Sequence, residues 1–596
     1  MKKIFTILFS VILLAGCNNW LDTENLTSKT TANFPETEKD ANEMITAIYA
    51  HLLFESPENS SEYYIAQLAS DDCLGGNLSY SGNCATNFLL YKDNLNGFLG
   101  IWDRCYTLIN RANNAIATLG NVKSWSSDSE KDRCFGEAYF LRAFAYYELA
   151  QVFGGVPVRT TIEAINIPRN TVEEVYQLIE NDLKKAIELL PAVAYMQGSP
   201  MTGHANKYAA EAFMARVYLF YTGRYAKETL PDGTSKAQVV EWLDDVIKKS
   251  GYKLVTDQRN LWAYSNQWTE TNDQDLRYNY VLKHNLKWED NSAAETIFAN
   301  KHNMGCTWTY TQFSNTVAQF YSPSGDNLDK RQSYPFGNGW GAGPVSPAMV
   351  DEWKEWSEKQ AYINPDQKED PRLTGSIWSY TAYDPNVDGN ILLDRKLDDS
   401  EPDYTVSYRY YEQTGYFNKK YININSYYNG NIYAFNLQRY PGSSSMTSNQ
   451  LLQNYDLIHI RFADVLLMHS ELTETNTGLN AVRNRSGLAD VAYSVENLRN
   501  ERRYEFAFES LRWWDILRWS GPSLEYAGQL LNKQTGFDVI NAAVVTPMVK
   551  YDYAARLKAT EGYWPIPQDE IDISDGVIKQ NPGWDASAMF TDWTKM

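Results

Sequence analysis

Apolar residues recur every three or four positions in two long parts of the chain, and this spacing places them on one face of an α-helix. Such a face is stable in water only when it is buried against another element. The pattern therefore predicts a mainly α fold, in which sequence neighbours pack together across short links. The predicted helices are 36–54, 98–119, 137–153, 171–190, 207–221, 239–249, 458–471, 477–486 and 495–519.

The ends of these helices carry residues that favour caps. Thr171 precedes an acidic first turn and predicts an N-cap, while Gly154-Gly155 followed by Pro157 ends the helix before it. Paired helices of this length with short links are typical of tetratricopeptide arrays. The chain fits the consensus of that repeat poorly, so the similarity is one of architecture.

Residues 251–450 lack helical periodicity. Aromatic residues, Asn, Gly and Pro alternate there with short β-prone runs such as 408–411. A stretch this long with so little regularity is unusual unless it carries function or lies across a scaffold. We therefore interpret 37–596 as a single domain, in which helical parts at 37–250 and 451–596 support an irregular insert at 251–450.

The N-terminus has the pattern of an export signal with a lipid attachment point. Lys2 and Lys3 precede an apolar run over 4–14 that is too short for a permanent membrane-spanning helix. Leu-Ala-Gly then leads directly into Cys17, as in bacterial lipoproteins, where the cysteine thiol receives a diacylglycerol. We predict a signal peptide at 1–16, acylation of Cys17 and a flexible polar stalk over 17–36. A plain secretory signal with an incidental cysteine is the alternative.

The chain is acidic, with a formal net charge of -20. An acidic protein repels phosphate backbones, so nucleic acid is not an expected partner. Beyond Cys17, the five other cysteines are an odd number and show no C-x-x-C or zinc-ligand spacing. A disulfide such as Cys73–Cys84 is left open by the sequence.

Motifs of nucleophilic, zinc and nucleotide chemistry are missing from the sequence. It contains no G-x-S-x-G, no H-E-x-x-H and no Walker loop, and the glycine-rich stretch 337–343 lacks the G-K-[ST] that binds phosphate. A carboxylate pair for glycoside hydrolysis stays open, because 74 Asp and Glu residues make chance pairs inevitable. No cofactor is expected, with calcium as the one exception.

That exception is a resemblance to the start of a calcium loop at Asp384, Asn386 and Asp388, which Gly389 follows. The twelfth position of the pattern is Arg395 in place of a bidentate glutamate. A polar turn is the simpler interpretation, and calcium is the alternative.

A second charge pattern lies in the last long predicted helix. Opposite charges alternate every three residues, which we interpret as stabilisation of the fold. The members of this ladder are Glu509, Arg512, Asp515 and Arg518.

Several segments along the chain form one recognisable pattern when they are taken together. Each segment is weak alone, but in this order over essentially the whole chain they are highly specific. The segments are Cys17 with Trp20-Leu21-Asp22; 138–147 running into Phe153-Gly154-Gly155-Val156-Pro157; 207–221; 460–467; 479–488; Glu501-Arg502-Arg503 with Phe508-Glu509 and 513–518; and Trp564-Pro565-Ile566-Pro567 before Gln580-Asn581-Pro582-Gly583.

Together these segments resemble the SusD/RagB family of Bacteroidetes outer-membrane lipoproteins. The resemblance implies a tetratricopeptide-like, right-handed helical superhelix that bears a long irregular insert with short strands. It also implies a non-catalytic lipoprotein of the outer membrane, anchored through acylated Cys17 and facing the cell exterior. Members of the family cover a SusC-like TonB-dependent transporter and capture nutrient for it, mostly oligosaccharide. A glycoside hydrolase on a helical scaffold and a peptide or glycoprotein binder are the alternatives for this chain.

Family ligand sites are implied to lie in the early loop and in the insert, where their residues form no motif. Aromatic faces stack on sugar rings, while Asn, Asp and backbone groups hydrogen-bond to them. Glycines on both sides of Trp340 leave its face uncrowded, which suits a stacking platform; packing on the scaffold is the alternative. The candidates for ligand contact are Asp71, Asp72, Cys73, Asn77, Tyr80, Asn83, Cys306, Trp308, Tyr310, Phe313 and Trp340.

We predict that cells expressing the protein incorporate labelled palmitate into it, and that Cys17→Ser abolishes the label and releases the protein from the membrane fraction. The reason is that several acyl chains on one residue give stable anchoring. Cys84→Ser is the control and should keep the label. An unlabelled wild-type protein with Cys17 intact would contradict the lipoprotein interpretation.

Overall fold

The computed structural model describes most of the helical parts and pieces of the insert. The described residues are 34–53, 62–73, 97–163, 166–266, 279–302, 313–322, 336, 339, 341, 343–379, 381–382, 390–391, 393–394, 397, 406–407, 412–428, 431–434, 453–533, 538–541, 544–547 and 552–584. The predicted signal, Cys17, residues 17–33 of the predicted stalk and the β-prone run 408–411 lie outside them. Within the described part of the chain, no helix is both long and apolar enough to cross a membrane.

The N-terminal part is helical, as predicted. Its helices are α1 (Glu38–Leu52), α2 (Glu62–Leu68), α3 (Leu99–Thr118), α4 (Asp128–Phe153), α5 (Val172–Leu189), α6 (Lys207–Tyr225) and α7 (Lys236–Lys249). From α3 to α7, each helix packs on the next one in sequence. The apolar stripes of α1 and α3 are buried, which confirms the faces that the spacing predicts.

Caps set the ends of these helices. Thr171 forms the predicted N-cap of α5, because its side chain accepts from the backbone of Glu174 and the Glu174 side chain accepts in return. Gly154 ends α4 with φ 74°. The start of α4 was predicted nine residues too late, since the polar first turns hide the apolar spacing; Ser127 caps the true start.

Aromatic side chains join α4 to α6 in the core. The ring of Phe213 lies 5.7 Å from that of Phe140 and 5.3 Å from that of Phe144, measured between centroids. Both helices are buried on nearly all sides, as expected of helices in the centre of a large protein. The small residues of α6 allow this close approach.

The insert adds short elements between the helical parts. Its helices are α8 (Asn279–Lys283), α9 (Thr316–Tyr321), α10 (Pro347–Glu358) and α11 (Pro371–Ser376). Its strands are β1 (Thr296–Asn300), β2 (Ile377–Ser379), β3 (Thr381–Ala382), β4 (Asn390–Ile391), β5 (Leu393–Asp394), β6 (Val406–Ser407), β7 (Glu412–Gln413), β8 (Tyr416–Asn418), β9 (Asn425–Tyr428) and β10 (Asn431–Ala434). Antiparallel pairs form between β2 and β8, β3 and β5, β4 and β6, and β9 and β10.

The C-terminal part closes back onto the first helices. Its elements are β11 (Leu457–Arg461), α12 (Phe462–Thr473), α13 (Thr477–Arg485), α14 (Val495–Glu505), α15 (Arg512–Ser520), α16 (Glu525–Asn532), β12 (Asp538–Asn541), β13 (Val544–Pro547), α17 (Tyr553–Ala559) and α18 (Gln568–Ile573). Helix α15 packs on α6, and α12 packs on α7. In a small sheet, β12 lies between β13 and β7 of the insert.

The predicted helix at 458–471 is wrong in its first residues. Leu457–Arg461 is strand β11, which pairs antiparallel with β1 of the insert, with Phe298 opposite Ile460 and Asn300 opposite Leu457. The helix begins only at Phe462. Both strands are almost wholly buried, and a short buried apolar run cannot be assigned to helix or strand by its periodicity.

The predicted helix at 495–519 is also wrong, because it is broken between α14 and α15. Phe508 and Ser510 have φ of 64° and 59°, left-handed values that no α-helix accommodates. The predicted ladder is therefore mostly absent: Arg518 does bond to Asp515 at 2.8 Å, but Glu509 bonds to Lys420 and Arg461, outside the ladder.

A buried network of charges lies where the insert meets the C-terminal helices. Glu505, which is fully buried, accepts from Arg372 at 2.9 Å, from Arg461 at 2.5 Å and from Arg485. Burial alone raises the pKa of Glu505, but the three arginines outweigh it and hold this pKa well below its usual range. The carboxylate is therefore charged over the whole neutral and mildly acidic range.

We predict that Glu505→Gln lowers the free energy of unfolding by about 3–5 kcal/mol, because it removes the one negative charge that three buried arginines share. Chemical denaturation at pH 7 measures this. Because the folded pKa is depressed, the difference between wild type and variant should persist above the unfolded pKa of about 4.3 and shrink only as pH falls towards the folded value.

The control for this experiment is Glu496→Gln, in the exposed first turn of the same helix. Glu496→Gln should lower the free energy of unfolding by no more than about 0.5 kcal/mol. Equal effects of the two substitutions would contradict a role for the network in stability.

Candidate functional site

The base of the early loop is a buried turn that follows α2. Asp71, Asp72 and Cys73, which we call the loop base, are each less than one-tenth exposed. Backbone contacts join it to the insert: Cys73 forms an isolated β-bridge with Val345, and the amide of Ser346 donates to the Asp72 carbonyl at 2.9 Å. Two regions that are distant in the sequence, and that both supplied ligand candidates, therefore meet here.

Two arginines of the C-terminal part hold the loop base. Arg512 donates through Nε and Nη2 to the two oxygens of Asp71 at 2.7 and 2.8 Å. Arg503 donates through Nε to Asp72 Oδ1 at 3.0 Å, and its Nη2 lies 3.3 Å from Asp71 Oδ2. This geometry indicates that both carboxylates fix the loop. Contact of either carboxylate with a ligand stays a prediction.

The electrostatics of the loop base follow from burial and from these arginines. Burial raises the pKa of Asp71, but Arg512 and Arg503 outweigh it, so this pKa lies below its usual range. Burial raises the pKa of Asp72, which shares Arg503 with its neighbour. Asp71 is thus the firmly charged member of the pair.

Cys73 is a free and fully buried cysteine. The disulfide with Cys84, which the sequence left open, is therefore not formed. The Gln67 amide donates to the Cys73 sulfur at 3.0 Å. Burial raises the pKa of the thiol, so it stays protonated and unreactive.

The glycines on both sides of Trp340 have a structural reason of their own. We call Gly339, Gly341 and Gly343 the glycine segment. A Cβ on Gly339 would overlap the Ser322 side chain, and one on Gly343 would lie 2.7 Å from the Tyr321 ring. Gly341 donates to the Ser322 carbonyl at 2.7 Å. These glycines allow close packing on the end of α9, where they fix the backbone next to Trp340.

Phe313 lies at the other end of α9, just before its first turn. Ser314 Oγ and the Asn315 amide both donate to the Gln453 carbonyl, at 3.2 and 2.7 Å, which ties this end to the C-terminal part. Six helical residues span about 9 Å. Phe313 and the glycine segment therefore lie at opposite ends of a short helix.

The remaining candidates lie outside the described residues, and their roles stay predictions. They are Asn77, Tyr80, Asn83, Cys306, Trp308, Tyr310 and Trp340 for the ligand, and Asp384, Asn386 and Asp388 for calcium.

Sequence reasoning missed Arg503 and Arg512 as the residues that position the loop base. The three-residue spacing predicts that Arg512 pairs with Glu509 and Asp515 in its own helix. In the structure Arg512 pairs with Asp71, which is 441 positions away. No periodicity reports a contact over that separation. The one available signal was the presence of two acidic residues in a loop otherwise rich in Gly and Asn.

A cavity in the helical core is too small to be the site. It measures about 60 Å³ and lies between α4, α6, β11 and α15, with Glu148 and His459 in its wall. That space holds about two water molecules. A sugar ring needs a ligand pocket of several hundred cubic ångströms.

Comparison with known families places this architecture in one class of protein. A model described as "Starch-binding associating with outer membrane" matches residues 19–219, and a model described as "SusD family" matches residues 294–584. A "Prokaryotic membrane lipoprotein lipid attachment site" matches residues 1–18. The chain is a SusD-like protein and belongs to the SusD/RagB family, and it carries a lipoprotein attachment site.

Relatives cover nearly the whole chain. SusD-like protein P2 of Formosa agariphila is 24% identical over 98% of this chain and 100% of its own. A solved laminarin binding SusD-like protein has a TM-score of 0.65 at 22% identity, and the match covers 92% of this chain and 100% of that one. Surface glycan-binding protein A of Bacteroides thetaiotaomicron in complex with laminarihexaose has a TM-score of 0.63 at 18% identity, with 91% and 99% covered. These similarities confirm the predicted family and its tetratricopeptide-like helical fold.

We predict that Asp71→Asn lowers the free energy of unfolding by about 3–5 kcal/mol, because Arg512 is left buried without its counter-charge. Glycan affinity, measured well below the melting temperature, should change little. If Asp71 contacted the ligand directly, Asp71→Asn would lower the glycan affinity and leave the free energy of unfolding unchanged. Asp128→Asn, in the exposed first turn of α4, is the control and should cost a few tenths of a kcal/mol.

Proposed function

We propose that this protein binds oligosaccharide at the cell surface without catalysing its cleavage. The observation that carries the proposal is the junction of the loop base with Val345 and Ser346, which directly follow the glycine segment, because it joins the early loop to the insert on one scaffold. Sites built on loops that a rigid scaffold positions are common in binding proteins. A laminarin binding SusD-like protein and surface glycan-binding proteins A, one of them in complex with laminarihexaose, share the fold, which supports glycan as the cargo.

The chemistry of the two regions fits sugar recognition. Trp308, Tyr310, Phe313 and Trp340 offer rings that stack on the apolar face of a pyranose, and Asn77 and Asn83 offer amides for its hydroxyls. The ion pairs of the loop base and the packing of the glycine segment keep the neighbouring backbone in place. Such preorganisation lowers the entropy cost of binding.

The proposal includes a location and a partner. Acylated Cys17 would hold the protein on the outer face of the outer membrane. The family resemblance makes a SusC-like TonB-dependent transporter the receiver of the captured glycan. Calcium at Asp384, Asn386 and Asp388 is an additional proposal that rests on the loop pattern alone.

A screen of purified protein against neutral oligosaccharides, β-glucans included, tests the function. We predict binding of at least one glycan with no products detected by chromatography. Trp308→Ala and Trp340→Ala should each weaken that binding about tenfold, as expected for the loss of a stacked ring and its buried area. Calorimetry or intrinsic fluorescence provides the measurement.

Trp125→Ala is the matched control, because Trp125 lies in the link between α3 and α4 and belongs to neither the early loop nor the insert. The affinity of Trp125→Ala for the glycan should equal that of wild type. Turnover of any glycan in the panel would favour the glycoside hydrolase, and binding of peptides alone would favour the peptide or glycoprotein binder. If Trp308→Ala and Trp340→Ala both bind glycan as tightly as wild type does, the assignment of Trp308 and Trp340 to the ligand site is wrong.

A further inference from the structure

An arginine near the surface of α14 lies against two aromatic rings of the neighbouring helices. The guanidinium carbon of Arg499 is 5.0 Å from the ring centre of Trp519, on α15, and 4.7 Å from that of Tyr526, on α16. Both distances are within the range of cation–π attraction, about 6 Å. All three side chains are half-buried. The rings therefore hold the arginine in place while part of it stays open to water.

The Arg499 guanidinium has no counter-charge among the described residues. Of its three nitrogens, only Nε is buried without a hydrogen-bond partner. The two terminal nitrogens have no hydrogen bond or ion pair in the described part of the chain either. They are therefore the part of the guanidinium that water reaches, and their N–H groups are open to an acceptor.

Two acidic residues close to this arginine are not its partners. Glu471 on α12 accepts from Arg518 at 2.6 and 2.8 Å and from Trp519 Nε1 at 3.1 Å, which fixes the Trp519 ring. Glu496, one turn earlier on α14, is exposed and does not bond to Arg499 in the described structure. Arg499 is thus a fixed cation whose charge these neighbours leave uncompensated.

An exposed apolar side chain lies next to this cation. Val495, the first residue of α14, is 53% exposed. Helix positions four apart are neighbours on one face, so Val495 is beside Arg499. We call Val495, Arg499, Trp519 and Tyr526 the α14 patch. Arginine, tryptophan and tyrosine are the residues that dominate the energetic centres of protein–protein interfaces.

The rings of the α14 patch are poorly suited to stacking on a sugar. The Arg518 guanidinium carbon also lies 5.0 Å from the centre of the Trp519 ring, so two arginines already contact that ring, and Arg499 contacts Tyr526. A stacked sugar needs an uncovered ring face. A carboxylate needs only the terminal N–H groups of Arg499, and its hydrogen bonds to a guanidinium are about twice as strong as those between neutral groups.

We propose that the α14 patch is the docking surface for an acidic segment of a different protein. An Asp or Glu side chain of that segment accepts from Arg499, and an apolar neighbour packs on Val495. Because the two rings already order the arginine, little side-chain entropy is lost on docking. The patch belongs to the C-terminal helices, whereas the proposed glycan site is in the early loop and the insert. The inference therefore goes beyond the proposed function, and each can fail without the other.

Carbodiimide cross-linking in intact cells that naturally produce the protein tests this contact. Arg499→Lys keeps a positive charge at the rings and provides an amine, which the reagent joins as an amide to a carboxylate in contact with it. Glu496→Gln in the same chain removes the carboxylate one turn away. We expect a new cross-link that mass spectrometry maps to an Asp or Glu of another protein. Asp128→Lys, in the exposed first turn of α4, is the control and should not form it.

Co-purification of the mapped protein then measures the strength of docking. Arg499→Gln removes the charge, and Val495→Asp places a carboxylate beside it that competes for Arg499 and repels the acidic segment. Each should lower the co-purified amount about tenfold or more. Val193→Asp is the matched control, because Val193 is 55% exposed and lies in the link between α5 and α6. It should co-purify the protein as wild type does.

The glycan affinity of both patch variants should stay that of wild type, which separates this surface from the proposed glycan site. Three outcomes would each overturn the proposal. One is the absence of any cross-link that depends on Arg499→Lys. Another is a cross-link to a second copy of this chain or to a uronic acid of a polysaccharide. The third is wild-type co-purification by both Arg499→Gln and Val495→Asp.

Discussion

The Glu505 carboxylate holds the fold together at the point where its parts meet. Its arginine partners are Arg372 from the insert, Arg461 from strand β11 and Arg485 from the end of α13. A charge buried in protein is very costly unless it is paired, so any arrangement that separates these segments leaves unpaired ions in the core. The network therefore specifies where the irregular insert must dock. Such specificity does not require that the ion pairs add more stability than a well-packed apolar core would.

The candidate site depends on the same turn of chain. Helix α14 ends at Glu505, and Arg503, two residues earlier, reaches the loop base. The left-handed Phe508 and Ser510 break the helix and redirect the chain, so that Arg512 at the start of α15 reaches Asp71. A continuous helix would carry Arg512 elsewhere. The strain of the two left-handed residues is thus offset by buried ion pairs on both sides of the break.

The sequence predicts what is decided locally. Periodicity and caps predicted α1 and the helices from α3 to α7 but missed the short α2, and the lipoprotein pattern at Cys17 agrees with the attachment-site match. Contacts between distant parts of the sequence could not be predicted. Leu457–Arg461 forms a strand only because β1 lies beside it. Glu509 bonds to Lys420 instead of to its neighbours along the sequence. Of the candidate site, the sequence predicted the two regions but not the arginines that join them.

The end of α13 is held by the same network. Because Glu505 and Glu295 take the terminal nitrogens of Arg485, the guanidinium cannot turn. Arg503 fixes the loop base by the same physical means. Charges buried to dock the insert thus also fix the loop base, so that an irregular insert keeps a defined position on the helical scaffold.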